Sequence, residues 1–517
     1  MPTRKLGAWV AIFVLVLAPL AWAAGPSGKV TIAQGVDPTT LDPHDHEEAP
    51  AGNVLLHIYD TLLHRDRDQQ IQPWLATAYK LLNPTTWEFT LRHGVSFTNG
   101  EPLDALAVKY SLERTANPAN NLKSTILRVI ARVEVVDAYT VRVVTAKPFP
   151  VLDAILCDRG AIVPPRYFQQ HDRAFLARNP VGTGAYTLGT WVKDDRLELE
   201  ANPQWWHGAP SIKTLVFRPI PDETTRMAAL QTGEVDLVTN VPPHLLKSLR
   251  EHARVTVVSS PSARVLFLPI YTVQCEPASG GWDCTKPVPG PTAHPKVRQA
   301  INYAVDVDAI IQNVLEGSGI RLATPLTAKH FGYDPALKPF PYDPAKAKQL
   351  LAEAGYPAGI DLVLHAPNGR YPKDKEVAEA IAGQLTQAGI RTQPKVYEWT
   401  TYMTNIGYRH GGAPLWMVGW GNSTWDADYT LTSFFRIGEV LANSGNVEIS
   451  SLLEAARSTM DRQKRQEIYF KVGHLLHEEA LVLPLYQQID NYGVSRRVEW
   501  MPRPDGSLEG YSMSLKP

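Results

Sequence analysis

The stretch "DPAKAKQLLAEAGYPAGIDLVLHA", residues 343–366, places a complete helix directly before a strand. Asp343 is suited to cap the helix, Pro344 occupies its first position and Gly355 ends it, as helix termini prefer. The apolar run 360–366 then predicts a buried strand. A helix followed so closely by a strand indicates an α/β fold, because each element needs an apolar partner to cover.

The alternation of helix and strand continues on the C-terminal side of this unit. Residues 374–389 carry apolar side chains at helical spacing, and residues 390–399 read as the next strand. The short apolar run "PLWMVGW", residues 414–420, predicts one more buried strand. Strands that alternate with helices in this way predict a mainly parallel sheet. Ligands of such sheets bind beyond the carboxyl ends of the strands, so we expect a cleft at residues 420–428.

Two tryptophans flank a run of small polar residues in "GWGNSTWDAD", residues 419–428. Small polar side chains cannot form a core, and this mixture is typical of a loop that contacts a ligand. For Trp420, a pocket wall and a core position are equally compatible with the sequence. The candidate ligand-binding residues of this loop are Trp420, Gly421, Asn422, Ser423, Thr424, Trp425 and Asp426.

The chain has 517 residues, of which 44% are hydrophobic and 20% are charged, enough to bury a large core. At roughly 100–200 residues per domain, two to four domains are expected. The 51 Lys and Arg residues against 52 Asp and Glu give a net charge of -1. This balance argues against binding to nucleic acid or an anionic membrane, since both require a cationic excess.

The N-terminal residues predict export. Arg4 and Lys5 precede an almost wholly apolar run, residues 6–20, and Ala21-Trp22-Ala23 supplies a cleavage motif. We therefore expect a signal peptide over residues 1–23 and a soluble, periplasmic mature chain. No cysteine follows the apolar run, so no lipid anchor is expected.

The cysteines agree with an oxidising compartment. Cys275 and Cys284 flank a segment suited to a chain reversal, and we expect them to form a disulfide. Cys157 remains and is expected to be a buried thiol.

No catalytic or cofactor motif is complete. The chain has no Gly-x-Ser-x-Gly elbow, no Walker loop and no His-Glu-x-x-His pair. His44 and His46 share an acidic loop, and His474 and His477 lie three apart on a predicted helix. A solvated loop and an exposed helix face are favoured over metal sites. We expect no cofactor, no metal and no enzymatic activity.

Four motifs resemble the extracellular solute-binding proteins, family 5, which serve ABC importers of dipeptides, oligopeptides, glutathione and nickel. Residues 180–238 carry the signature of that family, and residues 97–114, 294–310 and 342–357 match it as well. The resemblance covers nearly the whole mature chain, in the order the family has.

The resemblance implies the periplasmic-binding-protein type II fold, an α/β architecture of two lobes and a hinge, with an extra domain on the first lobe. The chain would cross between lobes at "LFLPIY" and "LVLPLY", which serve as hinges. The implied boundaries are a first lobe of residues 24–52, 179–271 and 484–517, an extra domain of residues 53–178 and a second lobe of residues 272–483.

The resemblance also implies where a ligand binds. Peptide-binding members hold the ligand's ammonium with an aspartate after the Gly-Trp pair, and Ser423 stands at that place here. Asp426 is offset by three positions. The loop is similar to that of the glutathione-binding branch. Arg370, in "PNGRYPKDKE", is expected to take a ligand carboxylate, because a guanidinium can form two parallel bonds to it.

The expected function is that of a monomeric periplasmic receptor that captures a short peptide or peptide-like solute and delivers it to an ABC permease in the inner membrane. A non-peptide solute, such as an opine, a haem-related compound or a nickel complex, is the alternative. An exported hydrolase is a further one.

Overall fold

A computed structural model describes residues 25–46, 49–123, 126–278, 281–407, 413–439 and 441–516, with the backbone alone for 274–287, 400 and 404. Its strands are β1 (Ser27–Gln34), β2 (Leu63–Arg65), β3 (Ile71–Pro73), β4 (Ala76–Asn83), β5 (Thr86–Leu91), β6 (Ile130–Asp137), β7 (Thr140–Thr145), β8 (Tyr186–Val192), β9 (Arg196–Ala201), β10 (Ile212–Pro219), β11 (Leu237–Val238), β12 (Val255–Pro269), β13 (Val273–Ala278), β14 (Gly281–Pro287), β15 (Gly319–Arg321), β16 (Ile360–Pro367), β17 (Ile390–Tyr397), β18 (Leu415–Trp416), β19 (Val418–Gly421), β20 (Val482–Ser495), β21 (Val498–Glu499) and β22 (Ser514–Leu515). The helices are α1 (Ala49–Ile58), α2 (Ala105–Ala116), α3 (Leu152–Ile155), α4 (Pro165–Gln170), α5 (Arg173–Leu176), α6 (Glu223–Thr232), α7 (Leu246–Glu251), α8 (Pro295–Tyr303), α9 (Val307–Asn313), α10 (Pro344–Glu353), α11 (Asp374–Gln387), α12 (Trp399–Tyr402), α13 (Ala427–Phe435), α14 (Val447–Ser458) and α15 (Arg462–Glu478).

A nine-stranded sheet runs through the molecule in the order β19-β12-β20-β11-β1-β10-β9-β8, with β15 also paired to β20. Its longest pair is the antiparallel β12 and β20, in which Phe267 lies opposite Pro484. Both predicted crossings therefore lie side by side in one sheet. β15 and β19 extend this sheet into the segment assigned by sequence to the second lobe.

A separate four-stranded antiparallel sheet, β4-β5-β7-β6, lies within residues 53–178. Helix α2 packs against it over an apolar core that includes Phe89, Leu112 and Val143, all fully buried. This core is distinct from the one around β1 and β10, so the segment predicted as the extra domain has a core of its own. The lobe boundaries themselves stay a prediction.

The segment in which helices and strands alternate, residues 343–420, contains a parallel three-stranded sheet in the order β17-β16-β18. The predicted helix caps are confirmed: the Asp343 side chain accepts a hydrogen bond from the Lys346 amide, and α10 begins at Pro344. Gly355 follows the helix with φ +90°, a conformation that favours glycine. The α/β fold class is confirmed.

The prediction of one strand over residues 414–420 is wrong. Met417 separates β18, which belongs to the parallel sheet, from β19, which pairs antiparallel with β12. The run is apolar throughout because both of its halves are buried, one in each sheet. The chain therefore changes sheets just before the predicted ligand loop.

Some predictions fall outside the described part of the chain. The proposed signal peptide, residues 1–23, is one of them. Cys275 and Cys284 lie in β13 and β14, a two-stranded antiparallel hairpin, but their side chains are not described, so the disulfide stays a prediction. Cys157 is partly buried and packs against the apolar core of the four-stranded sheet. Among the helices of the described ranges, none has both the length and the apolar character needed to cross a bilayer.

Candidate functional site

The tryptophan loop, residues 420–426, connects β19 to α13. Asn422 organises it from within, because the fully buried amide donates to the Asp426 carbonyl at 2.8 Å and to Thr430 Oγ1 at 3.0 Å. Its oxygen accepts the amide and the hydroxyl of Thr424, at 3.1 and 2.7 Å. The side chains of Asn422 and Thr424, both predicted to bind a ligand, are therefore engaged in holding the loop.

Asp426 is engaged in an internal ion pair. Arg465 donates to both of its carboxylate oxygens, at 2.5 and 2.6 Å, and both side chains are buried. The same carboxylate caps α13 by accepting the amide of Asp428 at 2.9 Å. Both oxygens of Asp426 are thus engaged within the protein and buried, and its predicted role in binding a ligand's ammonium stays a prediction.

The remaining loop residues are more open. Ser423 is partly exposed, and its hydroxyl makes no hydrogen bond within the described residues. Gly421 is exposed at the end of β19. Trp420 is partly buried and packs on Tyr429 and Phe434, with ring centroids 5.0 and 5.1 Å away.

Trp425, within the loop, is buried and 4% exposed. Its φ of +54° is unusual for so bulky a residue and marks a constrained turn. The ring packs against His330 at 5.1 Å, and burial lowers the pKa of His330 to about 3, so this imidazole is neutral.

One side of the loop meets the extra-domain segment. Arg65 Nη2 donates to the Thr424 carbonyl at 2.6 Å, and its Nη1 donates to the Gln69 carbonyl at 2.6 Å. Lys147 of the same segment lies 3.9 Å from Glu454 of α14. These contacts join residues that are far apart in sequence, and the Arg65 bond holds the extra-domain segment against the tryptophan loop.

The arginine loop, residues 367–374, lies on the other side. The buried Asp374 carboxylate accepts the backbone N–H groups of Gly369, Arg370 and Tyr371, at 2.9, 2.8 and 3.0 Å. Three charge-assisted bonds from successive amides hold this loop in one conformation. The Tyr371 hydroxyl then donates to the Gly419 carbonyl at 3.0 Å, which brings the loop against β19.

Gly419 is what permits that approach. A Cβ at this position would lie 2.6 Å from the Tyr371 ring, far inside contact distance. The glycine of the "GWG" run thus lets the two loops meet, and the arginine predicted from the sequence lies beside the tryptophan loop as a result.

The Arg370 side chain is exposed on one side and rests on aromatic rings on the other. Its guanidinium carbon is 5.2 Å from the Tyr371 ring and 5.1 Å from the Trp399 ring. It forms no ion pair within 4 Å among the described side chains. Burial and then the positive charge of Arg264 lower the pKa of Arg370, although a guanidinium remains protonated at any physiological pH.

Sequence reasoning missed two charged residues of this region, Arg264 and Asp490. Arg264 lies on β12 opposite Gly421, and its guanidinium carbon is 5.8 Å from the Tyr371 ring. Asp490 lies on β20 opposite Ser260, and Gln488 donates to it at 2.6 Å. The available signal was a single charge in each of the two otherwise uncharged stretches "SSPSARVLFLPIY" and "LPLYQQIDNYG", which overlap the predicted crossings.

The histidines considered as metal ligands have other partners. His44 Nε2 bonds to the Ala161 carbonyl at 2.7 Å, and its Nδ1 faces Arg114 at 2.7 Å. His474 lies 3.1 Å from Asp334, and His477 stacks on Phe340 with ring centroids 4.2 Å apart. In the described ranges, no group of three or more His, Cys, Asp and Glu side chains is arranged to hold a metal.

Comparison with known sequences defines the class of this protein. The model of the bacterial extracellular solute-binding proteins, family 5, matches residues 70–440. The chain belongs to this family. The glutathione-binding protein GsiB of Salmonella paratyphi A is 30% identical over 493 residues, covering 92% of each chain.

Solved structures agree in fold. The periplasmic binding protein DppA of Helicobacter pylori, solved with the peptide STSA, superposes with a TM-score of 0.78 and is 26% identical over 95% of this chain and 99% of its own. AgaA of A. tumefaciens, solved with agropinic acid, shares the fold at a TM-score of 0.76 and 24% identity, over 95% of this chain and 99% of its own. The predicted family and its periplasmic-binding-protein fold are confirmed.

Proposed function

We propose that this chain is the substrate-binding component of an ABC importer and captures a short peptide or a glutathione-like solute in the cleft between the tryptophan loop and the arginine loop. The bound solute is then delivered to a membrane permease. Binding is the whole of its chemistry, and the protein has no catalytic role.

The observation that carries this proposal is the state of Arg370. Asp374 holds its backbone rigidly, two aromatic rings support its side chain, and no described carboxylate lies within ion-pair distance. A guanidinium kept in place without a counter-ion suits the carboxylate of an incoming ligand, which it can bind through two parallel hydrogen bonds.

The relatives support the ligand class. GsiB carries the name of a glutathione-binding protein, and the DppA structure contains a four-residue peptide. Both ligands are peptides that end in carboxylates, which is the chemistry that Arg370 is suited to bind. The periplasm is the proposed location, in line with the description of DppA as a periplasmic binding protein.

Native mass spectrometry of the protein isolated from the periplasm tests the proposal. The protein is first transferred intact and then denatured to release what it carried. Peptide masses or a glutathione mass are the expected result. A retained metal complex or an opine mass would replace the peptide class, and hydrolysis of a peptide during incubation would contradict the non-catalytic role.

A further inference from the structure

Two arginines from different parts of the chain converge on one ring of the arginine loop, that of Tyr371. The guanidinium carbons of Arg264 and Arg370 lie 5.8 and 5.2 Å from the centre of Tyr371. Neither forms an ion pair within 4 Å among the described side chains. The positive charge of Arg264 lowers the pKa of Arg370, so the two like charges repel each other, and an anion bound between them removes that repulsion.

Arg264 has only a weak contact with protein oxygen. Its Nη1 is 3.4 Å from the Gly419 carbonyl, at the limit of a hydrogen bond. If the role of Arg264 were only to brace β19, a bond of normal length to this carbonyl would be expected. Most donors of the guanidinium thus stay available.

A carboxylate completes the arrangement on β20. Asp490 accepts Gln488 Nε2 at 2.6 Å and forms no ion pair within 4 Å in the described part of the chain. Burial raises the pKa of Asp490, and the charge of Arg264 and the Ser262 hydroxyl act in the opposite direction. The positive charge of Arg264 therefore acts on Asp490, but the two side chains are too far apart to form an ion pair.

The one carboxylate of the tryptophan loop, that of Asp426, is already paired within the protein. Ser423 is neutral, and both oxygens of Asp426 bind Arg465. Asp490, which accepts a bond from Gln488 and forms no ion pair in the described part of the chain, is a carboxylate with capacity for a cation.

We infer that the site selects a zwitterionic ligand with two separate anionic groups, of which Arg370 binds one and Arg264 the other, while Asp490 binds the ammonium. This inference rests on the proposed function and narrows it to acidic peptides and γ-glutamyl peptides. A neutral dipeptide leaves one guanidinium without a counter-ion in the closed cleft, and that unpaired charge weakens its binding.

Paired ligands test the inference by calorimetry on the full chain. Ala-Glu and Ala-Gln have nearly the same shape and differ by one negative charge. We expect Ala-Glu to bind at least about tenfold more tightly, as one added charge-assisted bond implies. Glutathione is expected to exceed its glycine monoethyl ester by a similar factor, and N-acetyl-Ala-Glu is expected to lose affinity relative to Ala-Glu.

Variants assign each preference to its residue. Arg264→Gln is expected to bring the Ala-Glu to Ala-Gln ratio close to one, and Arg264→Lys to restore part of it. Asp490→Asn is expected to remove the discrimination against the acetylated peptide. Arg250→Gln, which removes a positive charge from the exposed face of α7, serves as the matched control and keeps both preferences.

The outcomes separate the inference from the proposed function. Equal binding of Ala-Glu and Ala-Gln by the unaltered protein would overturn the inference and leave peptide capture standing. A preference for Ala-Glu that Arg264→Gln does not reduce would also overturn it. Binding of none of these probes, together with release of no peptide from the native protein, would overturn both. The ligand comparison needs no variant, so a variant that fails to fold does not prevent the test.

Discussion

The tryptophan loop has charged residues at both of its ends. Those at one end have ion-pair partners, and those at the other end have none among the described residues. At its C-terminal end, Arg465 and Asp426 are buried and neutralise each other, and Arg465 also donates to the Tyr469 hydroxyl at 2.8 Å. At its N-terminal end, Arg264 lies beside Gly421 and Arg370 lies nearby, and neither has a described ion-pair partner. The first pair is part of the framework, whereas the second set of charges lacks an ion-pair partner in the described residues, and we propose that a ligand supplies it.

This difference is the basis on which we propose which charged residues are structural and which bind a ligand. Asp426 was predicted to bind ligand because it follows the Gly-Trp pair, but its oxygens are occupied. Arg264 was not predicted, and its donors remain available. The partner of a buried charge, rather than its position in a motif, indicates the role.

The largest expected effect concerns the internal pair. Arg465→Met leaves Asp426 buried without a counter-ion, so we expect a loss of about 3–5 kcal/mol in the free energy of unfolding. Urea denaturation measures it. Lys464→Met, on the exposed face of the same helix, is the control and is expected to stay within about 0.5 kcal/mol. A loss for Arg465→Met no larger than that of the control would mean that Asp426 is solvated and free to bind.

The next effect concerns the arginine loop. Asp374→Ala removes the acceptor of three backbone N–H groups, and we expect a loss of about 1–3 kcal/mol in stability together with weaker ligand binding. Denaturation and calorimetry with Ala-Glu measure the two effects. Glu376→Ala, in the first turn of the same helix, is the control. Full ligand affinity in a destabilised Asp374→Ala protein would show that the loop does not position Arg370.

Arg370→Ala is expected to affect binding alone. Loss of the guanidinium weakens Ala-Glu binding at least tenfold, or about 1.4 kcal/mol, while stability stays nearly constant because the side chain is exposed and forms no ion pair in the described region. Lys375→Ala, a neighbouring charge on α11, is the control. An unchanged Kd would remove Arg370 from the site.

The smallest expected effect is a pH dependence of stability. It arises from Asp153, where the extra-domain segment meets the tryptophan loop. Burial raises the pKa of Asp153 to about 6; nearby Asp426 raises it further, and nearby Arg65 and Arg462 act against it. Because its folded-state pKa lies above the ordinary value, the protonated form stabilises the fold at low pH, and that stabilisation is lost as pH rises through about 6.

Asp153→Asn keeps the neutral form, so its Tm is expected to fall less than that of the unaltered protein between about pH 5 and pH 7. Thermal melts at these pH values measure the difference. The exposed Asp158→Asn substitution is the control. Parallel Tm curves for the two proteins would show that Asp153 does not titrate in this range.

Much of the fold followed from local patterns. The caps of α10, the strands β16 and β17 and the helix α11 between them lie where the sequence predicts them, because helix ends and periodic patterns depend on residues that are neighbours in the chain. The family could be recognised for the same reason, as its motifs are short and contiguous. Arg370 was selected in this way too, and its role in binding stays a prediction.

The sequence by itself determined the α/β class, the family and a loop worth testing. Only the tertiary structure decided that residues 414–420 divide between two sheets and that Arg465 pairs with Asp426. It also decided that Arg264 lies near the arginine loop and that Asp490 lies within the influence of Arg264. Each of these depends on contacts between residues far apart in sequence. Local propensity and spacing carry no information on which distant charge will neutralise a given one, and the difference between a framework charge and a binding charge arises from that pairing.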